Sequence, residues 1–268
     1  MEIDDLKGEM IDQRFLRHLR TCNNAVLPGE RLAFRIGLTQ VGWVKRDFAA
    51  KLAAFSQIGP CADGVTLTDS AALPEIARQL AEAGCYRWRN EAFDIRAEPS
   101  GPVLARLDRG ALPSFGVLAV GVHVNGLVRR DDGLHIWVAR RAADKQLDPS
   151  KLDHVVAGGV PAGLTPAETL VKEAEEEAAI PASLACQAVP VATISYAMER
   201  PEGLRRDMLC CYDLDLPPDF SPRAMDGEVE AFELWPIGRV LQTVRDTDDF
   251  KFNVNLVLID LFQRLALI

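Results

Sequence analysis

The feature that most constrains this chain is a glycine-rich loop that leads into a helix with well-marked ends. The loop begins at Gly158, and Thr165 follows it as a residue type that caps helices well. Pro166 suits the first helical position, and Glu168 stands three residues after the cap, which is the spacing of a capping box. Together these signals predict a helix over residues 166–179.

The predicted helix carries an acidic face. Glu173, Glu176 and Glu177 lie at positions i, i+3 and i+4, so their carboxylates share one side of the helix. Like charges at these spacings cost an isolated helix roughly 0.2 to 0.5 kcal/mol per pair. Solvent tolerates such a face, but Mg²⁺, which is commonly held by a few carboxylates and substrate phosphates, would remove the repulsion. The adjacent glycines let the backbone approach a ligand closely, and this combination favours a metal site.

The composition argues against several other classes of protein. The net charge is −9 and no basic stripe is visible, so a nucleic acid polymer is not an expected partner. The N-terminus is acidic and no apolar run reaches the length of a membrane span, so we expect no membrane association and a cytoplasmic protein. The six cysteines lack a C-x-x-C pair and the four histidines lack ligand spacing, which argues against a zinc site.

The length of 268 residues favours two compact units, and Pro and Gly near residues 112–116 predict the joint between them. We therefore expect a small α+β domain over residues 1–112 and a mixed α/β domain over residues 113–268. The predicted helices of the first domain cover residues 5–21, 46–55 and 73–83, and its predicted strands cover residues 32–44 and 87–96. The predicted strands of the second cover residues 117–124, 134–140 and 209–216, with a hairpin turn at residues 131–133.

The loop and the acidic helix together resemble the conserved box of the Nudix hydrolase family, G-x5-E-x7-R-E-U-x-E-E-x-G-U, in which U is a bulky apolar residue. The matching positions are Gly158, Glu173, Glu176, Glu177 and Ile180. Three positions depart from it, with Leu164 in place of the first glutamate, Lys172 in place of arginine and Ala179 in place of the last glycine. These departures put the bracing of the loop in question, because lysine lacks arginine's fixed fork of donors and leucine offers no carboxylate.

The resemblance implies a fold, a reaction and a site. The fold would be α+β, with a Nudix α/β/α sandwich and a mixed sheet after the small N-terminal domain. The reaction would be Mg²⁺-dependent hydrolysis of a diphosphate linkage, with Mn²⁺ as an alternative cation. The expected metal ligands are the Gly158 carbonyl and the carboxylates of Glu173, Glu176 and Glu177. The expected catalytic residues are these three glutamates and one loop glutamate, for which Glu228 is the first choice and Glu230 the second. The expected substrate-binding residues are Arg141, Lys145 and Trp137.

Shorter motifs outside the box point to one subfamily. They include Trp88-Arg89-Asn90-Glu91, Trp137-Val138-Ala139-Arg140-Arg141 and Phe250-Lys251-Phe252-Asn253. They are similar to Nudix proteins that carry an extra N-terminal domain, some of whose fungal relatives are fused to thiamine pyrophosphokinase. This resemblance implies thiamine diphosphate or an oxidised analogue as substrate, and a homodimer is compatible with it. ADP-ribose or oxidised-nucleotide hydrolysis, a catalytically weak module that binds a diphosphate ligand, and an interaction protein that works through its N-terminal unit remain alternatives.

Overall fold

The computed structural model describes residues 12–225 and 227–268. The helices of this part are α1 (Gln13–Cys22), α2 (Arg46–Leu52), α3 (Leu73–Glu82), α4 (Leu112–Phe115), α5 (Pro166–Ala178), α6 (Ala182–Ala185), α7 (Ile237–Asp246) and α8 (Val254–Arg264). The strands are β1 (Leu32–Ile36), β2 (Thr39–Val44), β3 (Ile58–Cys61), β4 (Gly64–Leu67), β5 (Ala92–Ile95), β6 (Ala105–Asp108), β7 (Leu118–Arg130), β8 (Gly133–Arg141), β9 (Leu152–His154), β10 (Val156–Gly159), β11 (Val189–Arg200), β12 (Gly203–Asp215) and β13 (Val229–Pro236).

The N-terminal part contains a four-stranded sheet and a separate two-stranded one. The larger sheet has the order β2-β1-β4-β3, in which β1 and β4 are parallel and the other pairs are antiparallel, while β5 pairs with β6. Its core contains three phenylalanine rings in edge-on contact. The ring of Phe115 lies 5.0 Å from that of Phe34 and 5.1 Å from that of Phe48. Aromatic pairs at such distances and angles stabilise a core beyond their burial alone.

Several predicted elements of this part have different bounds in the structure. The strand predicted over residues 32–44 is two strands, because the chain reverses at Gly37, whose φ of +58° a glycine adopts without strain. Apolar alternation continues across the turn, so periodicity alone does not reveal it. The predicted helix over residues 46–55 ends at Leu52, and the strand predicted over residues 87–96 is only β5. Part of the helix predicted over residues 5–21 lies outside the described residues.

The C-terminal part confirms the expected mixed sheet between two helical layers. Its seven strands have the main order β11-β12-β7-β8-β13, with β10 paired to β7 and β9 to β8. The central strand β7 is parallel to β12 and antiparallel to β8 and β10. One face of the sheet packs against α7 and α8, and the other packs against α5 and α6. Within residues 12–225 and 227–268, no helix combines the length and the apolar character that crossing a membrane requires.

The first described helix packs in the C-terminal half of the molecule. Phe15, Leu19 and Cys22 of α1 belong to the same buried cluster as α7 and α8. The ring of Phe15 lies 6.3 Å from that of Phe262 in an edge-on contact. Helix α1 therefore belongs to the C-terminal core, although it precedes the N-terminal sheets in the chain.

Candidate active site

Helix α5 has the N-terminus that the sequence predicts. Thr165 accepts a hydrogen bond from the Glu168 amide at 3.2 Å, and the Glu168 carboxylate accepts one from the Thr165 amide at 2.8 Å. This reciprocal pair is a capping box, and it satisfies two amides that the first helical turn leaves unpaired. The helix ends at Ala178, one residue before the predicted end.

Ala179, which occupies the last glycine position of the box, adopts a left-handed conformation with φ of +53°. An alanine is strained there and a glycine is not, so we expect Ala179→Gly to raise the free energy of unfolding by about 0.5 to 1 kcal/mol. Thermal unfolding should show a rise in Tm of about 2 °C. Ala182→Gly, at the start of α6, is the matched control and should lower the Tm. A lower Tm for Ala179→Gly would contradict this account.

Gly158 and Glu173 are brought together as expected for two parts of one site. A Cβ atom on Gly158 would stand 2.7 Å from Glu173 Cγ and 3.0 Å from Glu173 Oε2, so any side chain there would displace the Glu173 carboxylate. Burial raises the pKa of Glu173, while its ion pair with Lys172 opposes that effect. The strand β10 therefore presents its backbone directly against this carboxylate.

Glu177 is the most buried of the helix glutamates. Its carboxylate accepts a hydrogen bond from the Ala157 amide at 3.0 Å. Burial raises the pKa of Glu177 to about 8, and the negative charges of Asp153, Glu173 and Glu228 contribute to the rise. We refer to Glu173, Glu176, Glu177 and Glu228 as the acidic cluster. A nearby cation stabilises the charged form of a buried carboxylate that has other carboxylates around it. The acidic cluster is therefore a suitable site for a bound cation.

Lys172, in the arginine position of the box, lies between two members of the acidic cluster. Its ammonium group is 3.1 Å from a Glu173 oxygen and 2.5 Å from a Glu176 oxygen. The Glu176 side chain remains about half exposed, at 52%. Lysine therefore orients the two carboxylates through one point charge, without arginine's parallel pair of hydrogen bonds.

Glu228 and Lys145, predicted separately as a catalytic and a substrate-binding residue, form an ion pair with each other. Partial burial would raise the pKa of Glu228, but the contact with Lys145 and the charges of Arg109 and Arg141 hold that pKa below its ordinary value. Glu228 therefore stays ionised beside the helix glutamates. Lys145 can contact a substrate anion only by sharing or leaving this carboxylate.

Arg141 and Trp137, the other predicted substrate-binding residues, are engaged in the protein interior. The Arg141 guanidinium donates to Asp153 at 2.7 Å and to the carbonyl of Leu147 at 2.8 Å, and its side chain is only 12% exposed. Trp137 is buried in the cluster that includes Leu170 of α5. In this structure, therefore, neither side chain presents an open surface to a ligand.

The N-terminal part supplies residues to the site that sequence analysis did not identify. Arg109 pairs with Glu91 at 2.8 Å, and its guanidinium carbon lies 3.7 Å from the position that a Cβ on Gly159 would occupy. Asp94 accepts a hydrogen bond from the Gly163 amide at 3.1 Å. No local signal marks these residues as part of the site, because their contacts with Gly159 and Gly163 join positions 50 and 69 apart along the chain.

A second group of possible metal ligands lies deeper in the sheet. His123, Asp153 and His154 are buried, and their ligand atoms lie within 4.8 Å of one another, a compactness that no glutamate group among the described residues shares. Asp153 is already paired with Arg141 at 2.7 Å and Lys251 at 3.6 Å. A metal ion there would meet two positive charges, so electrostatics disfavour this group. The acidic cluster offers the hard oxygen donors that Mg²⁺ or Mn²⁺ prefers, and its own ion-pair partners, Lys172 and Lys145, are partly exposed.

Comparisons with known proteins agree with this architecture. Residues 14–119 match the model of a domain of unknown function (DUF4743), and residues 119–254 match the NUDIX domain. Nudix hydrolase 20, chloroplastic, from Arabidopsis thaliana is 37% identical over 270 residues, which cover 93% of this chain and 72% of the relative. Nudix hydrolase 24, chloroplastic, from the same plant is 37% identical over 267 residues, which cover 95% of this chain and 73% of the relative.

A solved structure provides a further comparison. The crystal structure of DR0079 from Deinococcus radiodurans has a TM-score of 0.50 at 21% identity, and the match covers 63% of this chain and 98% of that one. At this identity the likeness concerns the fold alone. The domain matches and the plant relatives, together with the capped helix and its loop, show that this chain is a Nudix-type hydrolase with an N-terminal domain of the DUF4743 family.

Proposed function

We propose that the protein is a Mg²⁺-dependent hydrolase that cuts the diphosphate linkage of a small molecule. The contacts of two helix glutamates with strand β10 carry this proposal. Glu173 lies against Gly158, and Glu177 accepts a hydrogen bond from the Ala157 amide and also feels the charge of Glu228. The groups come from helix α5, strand β10 and the loop before β13. Glu228, on that loop, is distant in sequence from the others. Concentrated negative charge of this kind needs a cation before it can accommodate an anionic substrate.

The acidic helix and the neighbouring backbone would hold the cation. Its ligands would come from Glu173, Glu176, Glu177 and the Gly158 carbonyl, and when bound it would neutralise charge that develops on the phosphorus centre. The chain's own residues perform the remaining tasks. Glu228, which is ionised and about half exposed, would accept a proton from the attacking water, and Glu173 is the other candidate base.

Two cations at the edge of the acidic cluster are suited to hold the diphosphate. Lys145 contacts Glu228, and Arg109 is about half exposed beside Gly159. Both would form charge-assisted hydrogen bonds with phosphate oxygens. A diphosphate that draws Lys145 toward itself would also loosen the contact of that lysine with Glu228.

Within this class we propose thiamine diphosphate or an oxidised analogue as the substrate, which would be cut to the monophosphate and inorganic phosphate. The support is the resemblance to the subfamily with fungal fusions to thiamine pyrophosphokinase. An oxidised ring differs from the normal one by an oxygen and often by a lost positive charge. A site that hydrogen-bonds such a group can discriminate strongly between the two forms, so the normal cofactor should be the poorer substrate.

A substrate panel tests this assignment. We expect kcat/KM for an oxo-analogue of thiamine diphosphate to exceed the values for ADP-ribose and an oxidised deoxynucleoside triphosphate by about tenfold or more. The kcat/KM for thiamine diphosphate itself should be lower than that for the oxo-analogue and higher than those for the two nucleotide compounds. All four compounds are assayed with Mg²⁺, with Mn²⁺ and with a chelator, and loss of substrate and the products formed are measured by chromatography, because cleavage of ADP-ribose gives two monophosphates and no inorganic phosphate. A clear preference for either nucleotide compound would overturn the substrate assignment, and no turnover of any compound would favour a ligand-binding module.

A further inference from the structure

The loop that enters the box helix is held by the N-terminal domain. We refer to residues 160–164 as the box loop. The Ala162 amide donates to the Ala92 carbonyl at 2.7 Å, and the Gly163 amide donates to the Asp94 carboxylate at 3.1 Å. Both acceptors belong to strand β5, some 70 residues earlier in the chain. Two consecutive amides of the box loop are thus fixed by a different domain.

The acceptor carboxylate is itself held in place. The Asp94 side chain is only 13% exposed, and it contacts Arg106 at 3.2 Å and Arg96 at 3.4 Å. Phe93, the residue before it, packs tightly on the strand that leads into the loop, because a Cβ on Gly159 would stand 2.5 Å from its ring. Strand β5 therefore makes both a polar and an apolar contact with the segment that carries the metal-site backbone.

Leu164 lies at the same junction. It lines a small crevice together with Phe93, Asp94 and Val160. This is the position at which the Nudix box has its first glutamate, so in this chain an apolar side chain stands where a carboxylate is expected. The carboxylate that contacts the box loop comes instead from Asp94.

We propose that Asp94 is a positioning residue for hydrolysis, and that through it the N-terminal domain performs the loop bracing that the missing glutamate at position 164 would otherwise provide. The proposal rests on the function proposed above. A fixed loop keeps the Gly158 backbone beside Glu173, and a displacement of about 1 Å in such a site can cost up to 100-fold in rate. It also gives the N-terminal domain a part in catalysis without a contact to substrate.

The neighbouring charges suggest a rescue experiment. Arg106 lies 3.9 Å from the position of a Cβ on Gly163, so its guanidinium is already beside the box loop. When Asp94 is removed, Arg106 and Arg96 both lose its carboxylate as an acceptor, and Arg96 keeps its hydrogen bond to the Gly101 carbonyl. A glutamate at position 164 would then have cationic partners in the same crevice, whereas with Asp94 present it would meet a like charge.

The test compares Asp94→Ala, Leu164→Glu and the double variant by steady-state kinetics. We expect Asp94→Ala to lower kcat about tenfold with a smaller change in KM, since the loop positions the site more than it binds substrate. Leu164→Glu alone should change kcat modestly, and the double variant should recover most of the lost kcat. The matched control is Asp63→Ala, which removes the ion pair with Arg35 at 2.7 Å in the same domain and should leave kcat unchanged.

A readout without substrate separates this proposal from the assigned reaction. Hydrogen exchange at the Gly163 amide should become about tenfold faster in Asp94→Ala and slow again in the double variant, whatever the protein hydrolyses. Unchanged exchange at Gly163, or equal kcat losses in the single and double variants, would overturn the bracing role. Accelerated exchange with no turnover by the parent protein would leave the brace supported and reject only the proposed reaction.

Discussion

Glu177→Gln is expected to reduce kcat by about 10³-fold while the fold remains intact. The Glu177 carboxylate is buried in the acidic cluster, and removal of its charge weakens the cation site without changing the side chain's shape. The glutamine oxygen can still accept the hydrogen bond from the Ala157 amide. Stability in the absence of metal should therefore be unchanged or higher, because a buried and crowded carboxylate is replaced by a neutral group.

Steady-state kinetics and thermal unfolding, each with and without Mg²⁺, check this expectation. The parent protein should gain stability from Mg²⁺ and the variant should gain little, since ligand binding to the folded state stabilises it by mass action. Glu175→Gln is the matched control, because this exposed glutamate lies on the same helix but outside the acidic cluster. Full activity of Glu177→Gln with Mg²⁺ still required would show that the metal site lies elsewhere.

Gly158→Ala is the second large effect, with an expected fall in kcat of about 100-fold. The added Cβ would stand within 2.8 Å of both Glu173 Cγ and Cδ, so the carboxylate must rotate away from the strand. The atoms that must move belong to a flexible side chain, so the free energy of unfolding should change little. Activity and stability are therefore expected to respond very differently to one methyl group.

The control for this substitution is Gly59→Ala in β3. A Cβ at that strand glycine meets no atom within 4 Å, so the variant carries the general effect of replacing glycine by alanine. Both variants are compared by kcat and by Tm. If Gly158→Ala has the same kcat as the control, catalysis does not depend on the position of the Glu173 carboxylate against β10.

The box helix was predictable because several local signals coincide within a few residues. The cap at Thr165, the proline at position 166 and the glutamate at position 168 each favour the same helix start, and the structure has that start. The acidic face follows from helical geometry once the start is known. The same reasoning identified the hairpin turn that joins β7 to β8, because an Asp-Gly pair between alternating strands is a strong local signal.

The remaining features depend on contacts that are distant in sequence. The bonds from the box loop to Asp94 and Ala92 cross some 70 residues. Arg141 follows a strand and looked available to a ligand, but the fold places Asp153 beside it and buries the pair. The contact between Lys145 and Glu228 joins two residues that sequence analysis placed in different roles. The domain boundary near residue 112 stays a prediction.

Helix α1 limits how far the catalytic half can be treated as a transplantable module. Its Phe15, Leu19 and Cys22 fill the C-terminal core, and Arg17 donates to the carbonyls of Arg245 and Val244 near the end of α7. Each large apolar side chain so buried contributes about 1.5 to 3 kcal/mol. A fragment that begins at residue 113 would lack α1 and would expose the apolar surface that α1 covers, which favours self-association. Transfer of the hydrolase by recombination would have to bring this distant helix along.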